Sequence, residues 1–128
     1  MRDPSSWNVC FCIWDDQQKT LFAARDRIGI KPFHYYADGE LFTFASEIKS
    51  LLKVPEVSRD VDSLALADYL RHGYALPPYT LFRGIRTLLP AHTMLVRQNG
   101  ITTQQYWEIP LEPAREDFDM ALKPNRLC

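Results

Sequence analysis

The chain lacks the features that mark secreted, membrane and nucleic-acid-binding proteins. Its 128 residues include three cysteines, too few and too unevenly placed for a secreted disulfide framework. No apolar run approaches the ~20 residues needed to span a bilayer, and residues 1–8 are too polar for a signal peptide. The formal net charge of -1 gives no electrostatic reason to expect nucleic acid or a membrane as a partner. A cytoplasmic protein is therefore expected.

Residues that could bind a metal ion are also sparse. His34, His72 and His92 are scattered along the chain and show no ligand spacing. Cys10 and Cys12 lie two positions apart in an apolar run without a further ligand nearby, so we expect no metal site. The composition, 46% hydrophobic and 24% charged, fits one globular domain that buries roughly two-thirds of its unfolded surface.

Alternation of apolar residues and turn signals predict three β-hairpins. The first strand, residues 8–14, is apolar on both faces, so we expect it to be covered on both sides. Asp38-Gly39 and Asn99-Gly100 favour tight turns in the second and third hairpins. The predicted strand pairs are 8–14 with 19–25, 33–36 with 41–45, and 93–98 with 101–107.

Two helices are predicted between the second and third hairpins. Ser46 stands at the N-cap position of a short helix that Pro55 ends. A clearer helix begins after Asp62 as N-cap and ends at Gly73 as C-cap. Residues 74–91 contain three prolines and are expected to be irregular.

The order of these elements predicts an α+β fold with mostly antiparallel sheets, built from about seven strands and two helices. Residues 9–110 would form the domain, after an atypical N-terminal segment at 1–8. Residues 111–128 carry charge, two prolines and few apolar side chains, which is typical of a linker-like tail. Two short helices are too few to cover an apolar strand on both sides, so we expect the domain to be incomplete.

The segment from Arg25 to Pro32 is the most distinctive part of the chain. Gly29 can adopt backbone angles that are closed to other residues, and Pro32 fixes the chain as it enters the next strand. Arg25, Asp26 and Lys31 place charges along this tight loop. On the residues alone, an ordinary strand connection with surface ion pairs, each worth about 0–1 kcal/mol, would explain the pattern.

Six blocks of sequence occur in the order and spacing of one known family. The chain resembles the glutaminase domain of glutamine-hydrolysing asparagine synthetases, a class II glutamine amidotransferase domain with the N-terminal-nucleophile hydrolase fold. The resemblance runs from about residue 9 to residue 113 and corresponds to the C-terminal half of that domain. The blocks are IWD from position 13, RDRIGIKPFHYY from 25, FASEIKSLL from 44, DYLRHGY from 68, TLFRGIRTLLPAH from 80 and QYW from 105.

The resemblance implies an incomplete version of the family's four-layer αββα sandwich. In that family the domain hydrolyses glutamine to glutamate and ammonia. An internal channel carries the ammonia to a C-terminal domain that uses ATP to convert aspartate to asparagine. That synthetase domain would be the partner of this one, and ATP and Mg2+ would belong to it, so no cofactor is expected in this chain.

The resemblance also implies that this chain lacks the means of catalysis. The family's nucleophile is a cysteine at the mature N-terminus, whose own amino group acts as the base, whereas here Arg2 follows Met1. The oxyanion-hole Asn-Gly pair and the glutamine-binding arginine belong to segments that would precede residue 1. Ser6 and Trp7 replace the aspartate that contacts the substrate amine and the glycine after it. We therefore expect no catalytic or substrate-binding residue, and an inactive chain.

Cys10 and Cys12 are not expected to replace that nucleophile. They lie in a predicted buried strand without a cationic neighbour, which disfavours the thiolate. A further departure from the family is Pro90-Ala91, where Pro-Gly usually precedes the last hairpin. A truncated or frameshifted reading frame would explain why both ends of the chain depart from the family pattern.

Seven residues of the family motifs remain as candidates for a structural or interdomain role. The charged residues of the loop would hold it where it faces the synthetase domain, and the pair at 46–47 would lie near the domain's inner surface. Two alternatives stay open: a non-catalytic module that docks on a full-length relative and regulates it, or a fragment of a related amidotransferase with a different acceptor. The seven residues are Arg25, Asp26, Gly29, Lys31, Pro32, Ser46 and Glu47.

Overall fold

A computed structural model describes residues 9–110, which form seven strands and two helices. Their number and order confirm the predicted α+β class with antiparallel sheets. The segment 1–8, with Ser6 and Trp7, and the tail 111–128 lie outside the described residues. The elements are β1 (Phe11–Asp15), β2 (Thr20–Ala24), β3 (His34–Ala37), β4 (Phe42–Ala45), α1 (Ile48–Leu51), α2 (Ser63–His72), β5 (Ile85–Thr87), β6 (His92–Arg97) and β7 (Gly100–Gln105).

The strands form two antiparallel sheets. The first sheet has the order β1-β2-β6-β7, and the second has the order β4-β3-β5. The first and third predicted hairpins are therefore joined in one sheet by the pairing of β2 with β6, in which Ala23 lies opposite Met94. The second predicted hairpin gains a third strand, because β3 pairs with β5 as well as with β4.

The two sheets share one hydrophobic core. Ala23 and Met94 of the first sheet pack in one cluster with Phe33 and Leu88, and each of the four is at most 4% exposed. Tyr35 of β3 packs against this cluster from the second sheet. Burial of a large apolar side chain contributes roughly 1.5–3 kcal/mol, so this shared cluster is the main contact that holds the sheets together.

A second cluster lies on the other face of the second sheet. Leu51 of α1, Val57 and Ile85 of β5 are each at most 3% exposed, and Tyr36 of β3 packs against them. Neighbouring strand residues point to opposite faces, so β3 contacts the first cluster through Tyr35 and the second through Tyr36. The described residues thus form three layers: the first sheet, the second sheet and α1.

α2 is a well-capped helix that buries little of its surface. The carboxylate of Asp62 accepts hydrogen bonds from the backbone of Leu64 and Ala65, and Gly73 ends the helix with a φ of 83°, so both predicted caps are confirmed. Ala65 is 3% exposed, whereas Leu64 and Leu70 are each 78% exposed. Neither helix within residues 9–110 is long and apolar enough to cross a membrane.

Two local predictions are wrong. Glu47, and not Ser46, is the N-cap of α1, and the Glu47 side chain makes no capping hydrogen bond. Within residues 74–91, which were expected to be irregular, Ile85–Thr87 form β5. A three-residue strand that follows Gly84 is too short for alternation to reveal, and its pairing with β3 decides its structure.

β1 is covered on one face only, contrary to the expectation from its apolar sequence. Cys10 and Cys12 pack against the shared core, but on the outer face Phe11 is 43% and Ile13 is 58% exposed. β1 is also the edge of the first sheet, so its far side makes no ladder within residues 9–110. Residues 9–14 contain no charge and no proline, which are the usual devices that block edge pairing. An exposed apolar edge of this kind promotes aggregation.

We predict that Ile13→Lys raises the solubility of the chain severalfold, because a charge there interrupts the apolar outer face and opposes pairing at the edge. The measurement is the concentration left in the supernatant after ultracentrifugation. Ser50→Lys is the matched control, since Ser50 is exposed on α1, outside both sheets, and the substitution adds the same charge. Equal gains from both substitutions, or a wild-type monomer with a sharp thermal unfolding transition, would contradict this assignment.

Candidate functional site

The loop between β2 and β3, residues 25–32, is held by the side chain of Arg25. This residue is 9% exposed, and its guanidinium donates hydrogen bonds to three backbone carbonyls. Nε donates to the oxygen of Lys31 at 2.8 Å, Nη2 donates to that of Gly29 at 2.8 Å, and Nη1 donates to that of Leu88. Leu88 lies 63 positions further along the chain, so the guanidinium ties the loop to the segment after β5.

The backbone of Arg25 makes two further long-range hydrogen bonds. Its N–H donates to the carbonyl of His92 at 3.0 Å, and its carbonyl accepts from the hydroxyl of Tyr106 at 2.7 Å. Burial lowers the pKa of the guanidinium, while Asp26 and Cys10 oppose that shift. Arg25 therefore connects the end of β2, the segment after β5, the start of β6 and the chain after β7 at one point.

Asp26 holds the other side of the loop. Its carboxylate accepts hydrogen bonds from the backbone N–H of Ile30 at 2.8 Å and of Lys31 at 3.2 Å. Its backbone carbonyl accepts from the N–H of Gly29 at 3.2 Å and of Ala91 at 3.0 Å. Burial acts to raise the pKa of this carboxyl, but the backbone hydrogen bonds and the nearby guanidinium outweigh burial, so the pKa lies below its usual value.

Gly29 and Ala91 let the loop pack closely against the last hairpin. Gly29 has a φ of 73°, and a Cβ there would lie 2.6 Å from Cγ of Pro90. A side chain at position 29 would clash with Pro90, and the positive φ would strain the backbone of any residue other than glycine. Ala91 has a φ of 57° and is 4% exposed. This alanine takes a conformation that a glycine would favour, at a cost on the order of 1 kcal/mol.

The charges of this loop do not form surface ion pairs. Arg25 and Asp26 are 9% and 4% exposed, and both bond to backbone groups of the loop itself. The interpretation of the segment as an ordinary surface connection is therefore wrong for these two residues. Within residues 9–110 the salt bridges at 4.0 Å or less are Lys19–Asp16 and Lys49–Glu47.

A cleft of about 410 Å3 opens beside this loop, where the chain enters β1. Four of the seven family-motif residues line it, and the other three, Arg25, Asp26 and Gly29, support the loop from behind. The structure thus brings the two separate sequence blocks, at 25–32 and 44–52, together at one surface. The lining consists of Lys31 and Pro32 from the loop, Ser46 and Glu47 from the turn before α1, and Val9 and Cys10 ahead of β1.

Charges of both signs stand at this cleft. The ammonium of Lys49 lies 2.6 Å from the carboxylate of Glu47, and both side chains are more than half exposed. Such a pair is worth at most about 1 kcal/mol, so the carboxylate can readily exchange its partner. Lys31 has no carboxylate within 4.0 Å in the described part of the chain. This arrangement is suited to binding a polar surface or ligand rather than to making a covalent bond.

The two cysteines near the cleft are not activated. Burial raises the pKa of Cys10 to about 11, and the neighbouring Cys12 adds to this shift. Arg25 lies close enough to Cys10 to oppose the shift, so the expectation of no cationic neighbour is wrong for Cys10. Burial also raises the pKa of Cys12. Both groups are protonated at neutral pH, and a protonated thiol is a poor nucleophile.

Two of the three histidines, His34 and His92, have structural partners. Nδ1 of His34 lies 2.8 Å from the hydroxyl of Thr87, and Nδ1 of His92 lies 2.7 Å from the carbonyl of Pro90. Burial lowers the pKa of His34, and the charge of Arg25 lowers it further. Within residues 9–110, no group of three or more His, Cys, Asp or Glu side chains is arranged to hold a metal ion.

Sequence reasoning missed two kinds of site residue. Val9 and Cys10 line the cleft because the start of β1 lies beside the loop, and nothing in their local pattern indicates this. Leu88 and Tyr106, the distant partners of Arg25, are 63 and 81 positions away from it. The pairings of β3 with β5, of β2 with β6 and of β6 with β7 bring these segments to Arg25.

The sequence of this chain is similar to that of a known domain family and of several known proteins. The sequence pattern of the glutamine amidotransferase domain matches residues 8–107. The chain is 38% identical over 110 residues to asparagine synthetase (glutamine-hydrolyzing) 3 of Bacillus subtilis, covering 85% of this chain and 18% of that protein. It is 34% identical over 104 residues to putative asparagine synthetase (glutamine-hydrolyzing) 2 of Methanocaldococcus jannaschii, covering 78% and 20%. It is 32% identical over 100 residues to amidase chyE of Penicillium rubens, covering 77% and 14%.

The chain spans a fifth or less of the length of these curated relatives, from 14% to 20%. Residues 25–47, which form the loop and most of the cleft lining, lie inside the region that matches the domain pattern. The relatives thus contain far more polypeptide than the part that corresponds to this structure.

Asp26→Asn should destabilise the folded chain by about 1–2 kcal/mol, because the amide turns a donor toward one of two backbone N–H groups. The pKa of Asp26 is lower in the folded chain than in the unfolded one. Its stabilisation is therefore fully present above the unfolded pKa of ~3.9 and is lost as the pH falls through the folded pKa. Urea unfolding should show an unchanged difference from wild type between pH 7 and about pH 5, and a difference that narrows as the pH falls below about 4.

The matched control for this substitution is Asp60→Asn, since Asp60 is exposed and lies outside the loop. Its effect on the free energy of unfolding should stay within about 0.5 kcal/mol. An equal loss from both substitutions would show that the buried carboxylate has no special role in the loop.

Proposed function

Because the chain belongs to the glutamine amidotransferase domain family, we propose that it is part of the glutaminase domain of an asparagine synthetase-like protein. In such a protein this domain hydrolyses glutamine to glutamate and ammonia, and the ammonia is used for ATP-dependent synthesis of asparagine from aspartate. The observation that carries the proposal is 38% identity to an asparagine synthetase over 85% of this chain.

In this proposal the chain is the later half of the glutaminase domain. The support comes from β1, whose outer face leaves Phe11 and Ile13 43% and 58% exposed and whose far edge has no partner strand within residues 9–110. An αββα sandwich has a helical layer on the outer face of each sheet. The earlier half of the domain would therefore supply the strand beside β1 and the helices over its exposed face.

The 128-residue polypeptide, assayed alone, is expected to be inactive as a glutaminase. Class II chemistry requires a thiol and the terminal amine on the same residue, and a polypeptide that begins Met1-Arg2 does not present them. Cys10, with a pKa of about 11, is no substitute for that nucleophile. Ser6, outside the described residues, stands at the family's aspartate position, so the contact to the substrate amine is also lost.

The cleft beside residues 25–32 is the surface that would face the synthetase domain. Arg25 and Asp26 hold the loop rigidly by hydrogen bonds to its own backbone. Lys31 and Glu47 present opposite charges at the rim, which suits a complementary polar surface rather than an apolar one. ATP and Mg2+ would be bound by that partner domain and not by this chain.

A second function, docking on a full-length relative, is favoured by the exposed apolar surface of α2 and the chain after it. Leu64 and Leu70 are each 78% exposed, and Tyr74 and Tyr79 are 58% and 55% exposed. Soluble monomers rarely leave so many large apolar side chains of one segment in water. Such a surface is suited to binding a full-length relative, which is the basis of the docking alternative.

The acceptor of the ammonia is a separate question. One relative bears the name of an amidase, chyE, at 32% identity. The family's acceptor is chosen in the synthetase domain, so the glutaminase part is compatible with an amidotransferase that serves another acceptor. The residues of this chain do not distinguish these acceptors.

The purified chain should release no more glutamate from glutamine than a buffer blank. The Bacillus subtilis relative, assayed in parallel, shows that the conditions support hydrolysis, and Cys10→Ser controls for the remaining thiol. Glutamate release above the blank that this substitution abolishes would contradict the proposed inactivity. Failure of the chain to co-purify with that full-length relative would count against docking.

A further inference from the structure

Two hairpin turns meet at the end of the first sheet that is remote from the cleft at residue 31. β2 and β6 pair with Leu21 opposite Val96, so the turn before β2 lies beside the turn after β6. A second cleft, of about 380 Å3, opens between these turns. The first cleft lies at the start of β1 and the second lies at the turn that follows β1, so the two clefts are separate. The second cleft is lined by Gln18, Lys19, Thr20, Arg97, Gln98 and Asn99.

Six residues with polar side chains line this second cleft, and they include two cations but no carboxylate. Arg97 is exposed, and no carboxylate lies within 4.0 Å of its guanidinium in the described residues. The ammonium of Lys19 lies 2.6 Å from Asp16, with side chains 55% and 81% exposed. A pair this exposed is weak, so an incoming anion can compete with the aspartate for the ammonium.

Neutral donors complete the lining. Gln18, Gln98 and Asn99 each bring a side-chain amide with two N–H donors. The guanidinium of Arg97 presents a planar fork of donors that matches the oxygen spacing of a phosphate group. Each of the two turns thus brings one cation to the lining, Lys19 before β2 and Arg97 at the end of β6.

The turn that carries Lys19 is fixed before any ligand arrives. The carboxylate of Asp15 accepts hydrogen bonds from the backbone N–H of Gln17 at 2.9 Å and of Gln18 at 3.0 Å. Lys19 has a φ of 47°, in the left-handed region, and Thr20 beside it is 7% exposed. A ligand would pay little entropy to order this part of the cleft, which favours binding.

We propose that the second cleft binds a small, multiply charged oxyanion of the phosphate class, such as inorganic diphosphate or a compact phosphate ester. Two cations and three side-chain amides in the lining supply donors for the oxygens of such an anion, and the cleft, open to solvent, admits a small hydrated ligand. This site does not depend on the glutaminase proposal, since it shares no lining residue with the first cleft.

The experiment is a titration of inorganic diphosphate with the full 128-residue chain, followed by phosphorus NMR at about 0.15 M salt. Arg97→Gln removes the guanidinium fork and should weaken binding about tenfold. Lys53→Gln is the control, because Lys53 is exposed, lies outside the cleft and loses the same charge. It should leave the affinity within about a factor of two. Far-UV circular dichroism should show both variants as folded as wild type.

Three outcomes would overturn the proposal. The absence of diphosphate binding at this salt concentration would rule out the site. Equal weakening by Arg97→Gln and Lys53→Gln would show attraction to net charge alone. Displacement of diphosphate by an equal concentration of citrate would show that the cleft has no preference for the phosphate class.

Discussion

The buried guanidinium of Arg25 is the contact on which the rest of the structure depends. Its donors reach the carbonyls of Lys31, Gly29 and Leu88, and the backbone of the same residue bonds to the start of β6 and to Tyr106. Hydrogen bonds to a charged group contribute about 1.5–3 kcal/mol, and a buried charge without them would cost more. Arg25 therefore connects the loop at 25–32, which lies beside the cleft, to segments that follow strands of both sheets.

The sequence predicts the parts of the fold that local chemistry decides. Asp62 and Gly73 bound α2 because a carboxylate caps free N–H groups and a glycine accepts a left-handed conformation. Contacts over long distances are not predictable in this way. The Leu88 partner of Arg25 and the pairing of β5 with β3 depend on how the sheets meet, and no local pattern reports that. The apolar sequence of β1 predicts cover on both faces, but the described chain supplies only one covering layer.

This incomplete cover connects the fold to the proposed function. The loop at 25–32 is held by hydrogen bonds of Arg25 and Asp26, and a cleft opens beside it. β1 remains open on its outer face and edge, where Phe11 and Ile13 stay in contact with water. Both observations are explained if this chain is one portion of a larger glutaminase domain, joined in its relatives to much longer polypeptides.

The most direct test of that account is the sequence of the DNA on both sides of this reading frame, together with its transcript. The account predicts a Met-Cys-Gly-type start and an Asn-Gly segment upstream, and a Ser-Gly-Gly-x-Asp loop for ATP downstream. Such a finding would make the chain a piece of an asparagine synthetase-like gene. Finding none of these segments would contradict it and would mean that the cell makes the short chain for a purpose of its own.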